Sequence, residues 1–146
     1  MPLQIINSFA TWILKKRIHQ MELFLKYPHE VQEELLFNLI KASENTQLGK
    51  KYDFSSMKSY TSFSERIPVS TYEELEPLIE KTRQGEQNVF WHSNIKWFAK
   101  SSGTTNAKSK FIPVSSEALE NCHYKASKDL LCLYLNNNEE SQMFTG

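Results

Sequence analysis

Between Asn94 and Val114 two short apolar stretches flank a polar loop, and this alternation constrains the chain more than any other feature. Asn94-Ile95-Lys96-Trp97-Phe98-Ala99-Lys100 has the aromatic and β-branched content of a strand. Phe111-Ile112-Pro113-Val114 resumes as a second short strand, and Pro113 favours an edge or strand end because proline brings no ladder donor. The segment from Ser101 to Lys110 between them holds no apolar side chain larger than Ala107. A strand running into such a loop is the setting that a phosphate cradle requires.

Helical periodicity surrounds this region. Ile5, Phe9 and Trp12, then Leu14, Ile18, Met21 and Leu25, follow a three-and-four rhythm from Pro2 to Tyr27, and Pro28 closes the helix. A second helix is predicted after Pro28, with Val31, Leu35, Leu36, Leu39 and Ile40 as its apolar stripe and Gly49 ending the unit. From Lys50 to Arg66 the pattern is weak and predicts an irregular connection anchored by Tyr52, Phe54, Tyr60 and Phe63. Ser70 and Glu73 have capping-box spacing, and Pro77 predicts a short first turn with the helix restarting there. Glu73, Glu74, Glu76 and Glu80 read as a solvated helix face. Ser115 or Ser116 caps a last helix from Glu117 to about Leu135, whose apolar face is Leu119, Cys122, Ala126, Leu130 and Leu133. Gln142 to Thr145 then reads as the start of a further strand.

Composition removes several functional classes. Seventeen Lys plus Arg balance seventeen Asp plus Glu, so the broad positive field of a nucleic-acid binder is absent and a small-molecule ligand fits better. Cys122 and Cys132 lie ten apart in a helical segment, too divergent for a local bridge, and imply a reducing, cytoplasmic setting. The four histidines are scattered without ligand spacing, and no protein-bound metal site is expected. Near the N-terminus the basic cluster Lys15-Lys16-Arg17 follows the apolar residues instead of preceding them, unlike a signal peptide. No run approaches the roughly 20 apolar residues that span a bilayer, and the first helix is expected to pack on its own domain rather than on a membrane surface through Trp12 and the basic cluster, so no membrane partner is expected.

The loop itself carries the chemistry. Gly103 permits close backbone approach to a ligand, Ser101, Ser102, Thr104 and Thr105 supply hydroxyl donors, and Lys108 and Lys110 supply positive charge. Amides, hydroxyls and a cation converging on one concavity are what a polyphosphate needs. The loop is not the P-loop of the common nucleotide-hydrolysing fold, which requires two glycines in fixed spacing before Lys-Ser/Thr.

Ser101-Ser102-Gly103-Thr104-Thr105 resembles the Ser/Thr-rich phosphate loop of the adenylate-forming superfamily. The later lysine, Lys110 followed by Phe111-Ile112-Pro113, is similar to the auxin-responsive acyl-acid amido synthetase branch, although Asn106 stands where small residues are usual. Asn45-Thr46-Gln47-Leu48-Gly49-Lys50-Lys51-Tyr52 resembles that family's early Asn-Thr…Gly motif. Ile67-Pro68-Val69-Ser70-Thr71-Tyr72-Glu73-Glu74-Leu75 resembles its Pro-Val…Thr-Tyr-Glu segment.

The resemblance implies an α/β (mixed α+β) fold: the N-terminal part of a large adenylate-forming domain, with a helical N-terminus followed by strands of a mixed sheet. Residues 1–146 would be an incomplete portion of that single domain, inactive alone, and its partner would be the rest of the same chain beyond Gly146. The implied reaction joins a small carboxylic acid to an amino acid or other acyl acceptor at the expense of ATP with Mg²⁺, through an acyl-adenylate. Ser101, Ser102, Gly103, Thr104, Thr105 and Lys110 would hold the ATP phosphates. The alternatives are an acyl-CoA ligase and a non-catalytic interaction module.

Overall fold

The computed structural model describes residues 2–101, 109–138 and 141. The fold is mixed α/β, with helices α1 (Pro2–Lys26), α2 (Pro28–Ser43), α3 (Gln47–Lys51), α4 (Tyr60–Arg66) and α5 (Tyr72–Arg83) preceding strands β1 (Trp97–Lys100) and β2 (Phe111–Val114). Helix α6 (Ser116–Ala118), a π-helical segment over Leu119–Tyr124 and α7 (Lys125–Asn137) follow. The chain divides into two compact units, residues 1–31 with 120–146, and residues 32–119.

In the first unit α1 packs on α7. Arg17 grips Asp129 in two parallel hydrogen bonds, Nε to Oδ1 at 2.6 Å and Nη2 to Oδ2 at 2.9 Å, the fork geometry that a guanidinium and a carboxylate share. The side chains are only 15% and 23% exposed, and this hydrogen bond holds the Asp129 carboxyl below its usual range while raising Arg17. Cys132 and Leu135 are the buried residues of α7, whereas Leu130 and Leu133, expected on the inner face, are exposed. The cause is the π-helical segment: its wider turns shift every later residue around the axis, so a 3.6-residue count begun at Leu119 points the wrong way. On α1 Phe9, Trp12 and Leu25 are likewise exposed, with Leu14, Ile18 and Met21 half-buried. The Ile5 side chain, and the strand expected over residues 142–145, lie outside the described residues.

The second unit is built on Ile40, Phe54 and Met57, with Leu36, Phe37, Leu48, Tyr52, Phe63 and Ile67 packed against them. The buried stripe of α2 therefore runs through Leu36, Phe37 and Ile40, and Leu35 and Leu39 face outward. The weakly patterned stretch from Lys50 to Arg66 is ordered by this core into the end of α3, a 3-10 turn at Phe54–Ser56, and α4. Tyr60, expected as an anchor, is 66% exposed. Ser59 and Ser62 supply a capping box for α4 that uses serine where Glu or Gln is usual, which hides it from a motif search.

Helix α5 begins one residue later than expected, with Thr71 as its cap. The Glu74 amide donates to Thr71 Oγ1 at 3.3 Å and the Thr71 amide to Glu74 Oε2 at 2.7 Å. It then runs through Pro77 without restarting; the missing donor is on an exposed residue and leaves the rest of the helix intact. Ser115, one of the two caps anticipated for the last helix, accepts from the Ala118 amide at 3.0 Å. No helix among the described residues is long and apolar enough to cross a membrane.

Candidate functional site

The two strands pair antiparallel, Trp97 opposite Val114, Phe98 opposite Pro113, Ala99 opposite Ile112 and Lys100 opposite Phe111. Pairing continues one step further at the mouth of the loop. The Ser101 amide donates to the Lys110 carbonyl at 2.9 Å, and the Lys110 amide donates to Ser101 Oγ at 3.1 Å. Ser101 and Lys110 are thereby held face to face. Ser102, Gly103, Thr104 and Thr105, the other residues singled out in the sequence, lie outside the described residues, as does Lys108.

The first turn of α5 grips this mouth from the side. Tyr72 Oη accepts the Phe111 amide at 3.0 Å, which anchors the start of β2, and Glu73 Oε1 lies 2.9 Å from Lys110 Nζ. The same ammonium sits 4.8 Å from the centroid of the Tyr72 ring, within range of a cation–π contact. Thr71 and Glu74 satisfy each other's amides, which leaves the Glu73 side chain outside the capping box and able to reach the lysine. Lys110's hydrogen bond, helped by Glu73's own amide, holds the Glu73 carboxyl below the ordinary carboxylate range. The two side chains remain 44% and 66% exposed, so the pair is open to solvent and to ligands. Arg83 stacks 3.9 Å from the Phe111 ring centroid and Lys100 Nζ approaches that ring at 5.9 Å. At the base of the loop the Lys110 backbone is fixed by Ser101, its exposed ammonium is paired with Glu73, and Arg83 beside Phe111 is paired with Glu80.

The sequence alone assigns Tyr72 no role and reads Glu73 as part of a solvated helix face. The available signal was the Thr-Tyr-Glu stretch itself, but Tyr72 and Phe111 are 39 residues apart and their contact exists only in the fold.

The Asn45–Tyr52 stretch proves to be architectural. Thr46 is fully buried; its hydroxyl donates to the Ser43 carbonyl at 2.7 Å and accepts the Gly49 amide at 3.0 Å, capping α3. The next two amides, of Gln47 and Leu48, donate to the carbonyls of Asn88 and Val89 at 2.8 and 3.1 Å. Far from ending a unit, Gly49 is a buried residue inside α3, and a Cβ built there would lie 2.1 Å from the Ser43 carbonyl oxygen. The turn thus ties α2 to the segment that leads into β1.

Residues 17–145 match the model of the GH3 family N-terminal domain. The chain belongs to the GH3 family. Among its relatives, the GH3 chain is 30% identical over 106 residues to the indole-3-acetic acid-amido synthetase GH3.2 of Arabidopsis thaliana, covering 72% of this chain and 19% of that protein. It is 29% identical over 104 residues to the jasmonoyl-L-amino acid synthetase JAR4 of Nicotiana attenuata, covering 70% of this chain and 18% of that protein. A probable indole-3-acetic acid-amido synthetase GH3.2 of Oryza sativa subsp. japonica is 29% identical over 91 residues, 62% of this chain and 15% of that protein. The GH3 chain therefore spans less than a fifth of the length of these curated relatives.

Proposed function

We propose that this chain is the phosphate-gripping N-terminal portion of a cytoplasmic, ATP-dependent ligase that joins a carboxylic acid to an amino acid. The observation that carries this reading is the paired loop mouth, where Ser101 fixes the Lys110 backbone and leaves its ammonium exposed, in a chain whose relatives are named as an indole-3-acetic acid-amido synthetase and a jasmonoyl-L-amino acid synthetase.

In the proposed reaction a carboxylate oxygen attacks the α-phosphorus of ATP. The bond from that phosphorus to the bridging oxygen breaks, pyrophosphate leaves, and an acyl-adenylate remains. The amino group of the acceptor then attacks the acyl carbon and expels AMP, with the amine proton passing to solvent. Negative charge accumulates on the departing phosphates in the first step. Hydroxyls of Ser101, Ser102, Thr104 and Thr105, the approach permitted by Gly103, and the Lys110 ammonium would meet that charge without solvent reorganisation, an effect of roughly 3 kcal/mol per well-placed donor in oxyanion sites. Mg²⁺ is proposed as the counter-ion that arrives on the triphosphate, where it would offset phosphate charge.

The test is product analysis with the protein at its natural length. Incubation with MgATP, a panel of carboxylic acids and a mixture of amino acids should yield an acyl-amino acid conjugate together with AMP and pyrophosphate. Formation of ADP, or of a conjugate without nucleotide cleavage, would contradict the proposal.

A further inference from the structure

The ammonium at the mouth of the loop already has an anionic partner on the first turn of α5. We propose that Glu73 is a built-in stand-in for nucleotide phosphate: it occupies Lys110 while the site is empty and is displaced when MgATP enters. This inference rests on the proposed role of Lys110 as a phosphate ligand.

The backbone of Lys110 is fixed on three sides, through its own amide and carbonyl to Ser101 and through the following amide to Tyr72, so only the side chain is free to swing. The pair is exposed at both ends and can open without disturbing any buried contact. The capping box of α5 is made by Thr71 and Glu74 and does not use the Glu73 side chain. A released Glu73 also has a favourable resting place, because a carboxylate in the first turn of a helix is stabilised by the unpaired amides there. Glu73 offsets the charge of Lys110, whereas Arg83 beside Phe111 is offset by Glu80. Exchange replaces one ammonium–oxyanion contact by another and returns Glu73 to water.

A competitor of this kind lowers apparent affinity by the fraction of time it holds the lysine. An exposed ion pair that is closed one to five times as often as it is open weakens binding about two- to sixfold. Glu73→Gln should therefore tighten equilibrium binding of MgATP to the natural-length protein by about that factor, and the gap should narrow as salt screens the pair. The gain must vanish in a Lys110→Ala background, where no ammonium remains to compete for. Binding that is unchanged or weaker in Glu73→Gln, while Lys110→Ala still weakens it, would overturn the stand-in role and leave the phosphate-loop reading in place. A gain from Glu73→Gln that persists without Lys110 would also overturn it, by showing a general charge effect. If Lys110→Ala binds MgATP as the parent does, the phosphate role of Lys110 fails and the stand-in role with it.

Discussion

Replacing Gly49 by alanine should disrupt the turn that joins α2 to the loop-bearing segment, by an amount that follows from the surrounding geometry. The added Cβ would lie 2.1 Å from the Ser43 carbonyl oxygen and 2.8 Å from that of Glu44, and both are backbone atoms that no rotamer change can move. Restoring an ordinary carbon–oxygen contact requires about 1 Å of displacement between α3 and the end of α2. A shift of that size stretches the Thr46 cap and the bonds from Gln47 and Leu48 to Asn88 and Val89 beyond useful length. Losing three such bonds at about 1 kcal/mol each costs about 3 kcal/mol. Amide hydrogen exchange at Gln47 and Leu48 measures this directly, and protection there should fall about a hundredfold. Gly85→Ala is the control: Gly85 has φ +98° but nothing within 4 Å of an added Cβ, so its cost is only the left-handed backbone, about 1 kcal/mol. If Gly49→Ala proves milder than Gly85→Ala, the close-approach reasoning is wrong.

Other consequences follow from the same structure. Asp129→Asn should destabilise the protein by about 2 kcal/mol at neutral pH, between the values for exposed and buried pairs. Because the folded carboxyl titrates below its unfolded value of about 3.9, the stabilisation is fully present above that pH and disappears as pH falls through the folded value; unfolding curves of parent and variant should converge below about pH 4. Tyr72→Phe keeps the ring under Lys110 but leaves the Phe111 amide without its acceptor, so MgATP binding should weaken several-fold, as read by calorimetric titration, while Gln47 and Leu48 protection stays at the parent level. A thiol reagent should label exposed Cys122 rapidly and spare Cys132, which is 2% exposed and whose thiol burial pushes up; equal labelling rates by mass spectrometry would contradict the packing of α7.

What was legible in the sequence was mostly local. Pro28 does divide α1 from α2, the strands flank the polar loop, and Ser115 caps the helix that follows it. Ser70 and Thr71 both satisfy the capping spacing, and the choice between them is made at long range: starting at Thr71 brings Tyr72 and Glu73 to Phe111 and Lys110. Helix faces are not legible where local geometry departs from 3.6 residues per turn, as beyond Leu119, or where an outer stripe rivals the inner one, as with Leu35 and Leu39. The stretch from Lys50 to Arg66 gave little warning of its order, because tertiary packing on Ile40, rather than intrinsic propensity, sustains its short turns.

Carboxylate-dependent exchange of radiolabelled pyrophosphate into ATP, with the natural-length protein and no acyl acceptor present, tests the proposed chemistry most directly, since only a reversible adenylation yields it. The phosphate-loop reading predicts exchange that requires an acid substrate and falls at least tenfold in both Ser102→Ala and Lys110→Ala. Exchange at the parent rate in those variants, or no exchange with any acid although conjugate still forms, would contradict it.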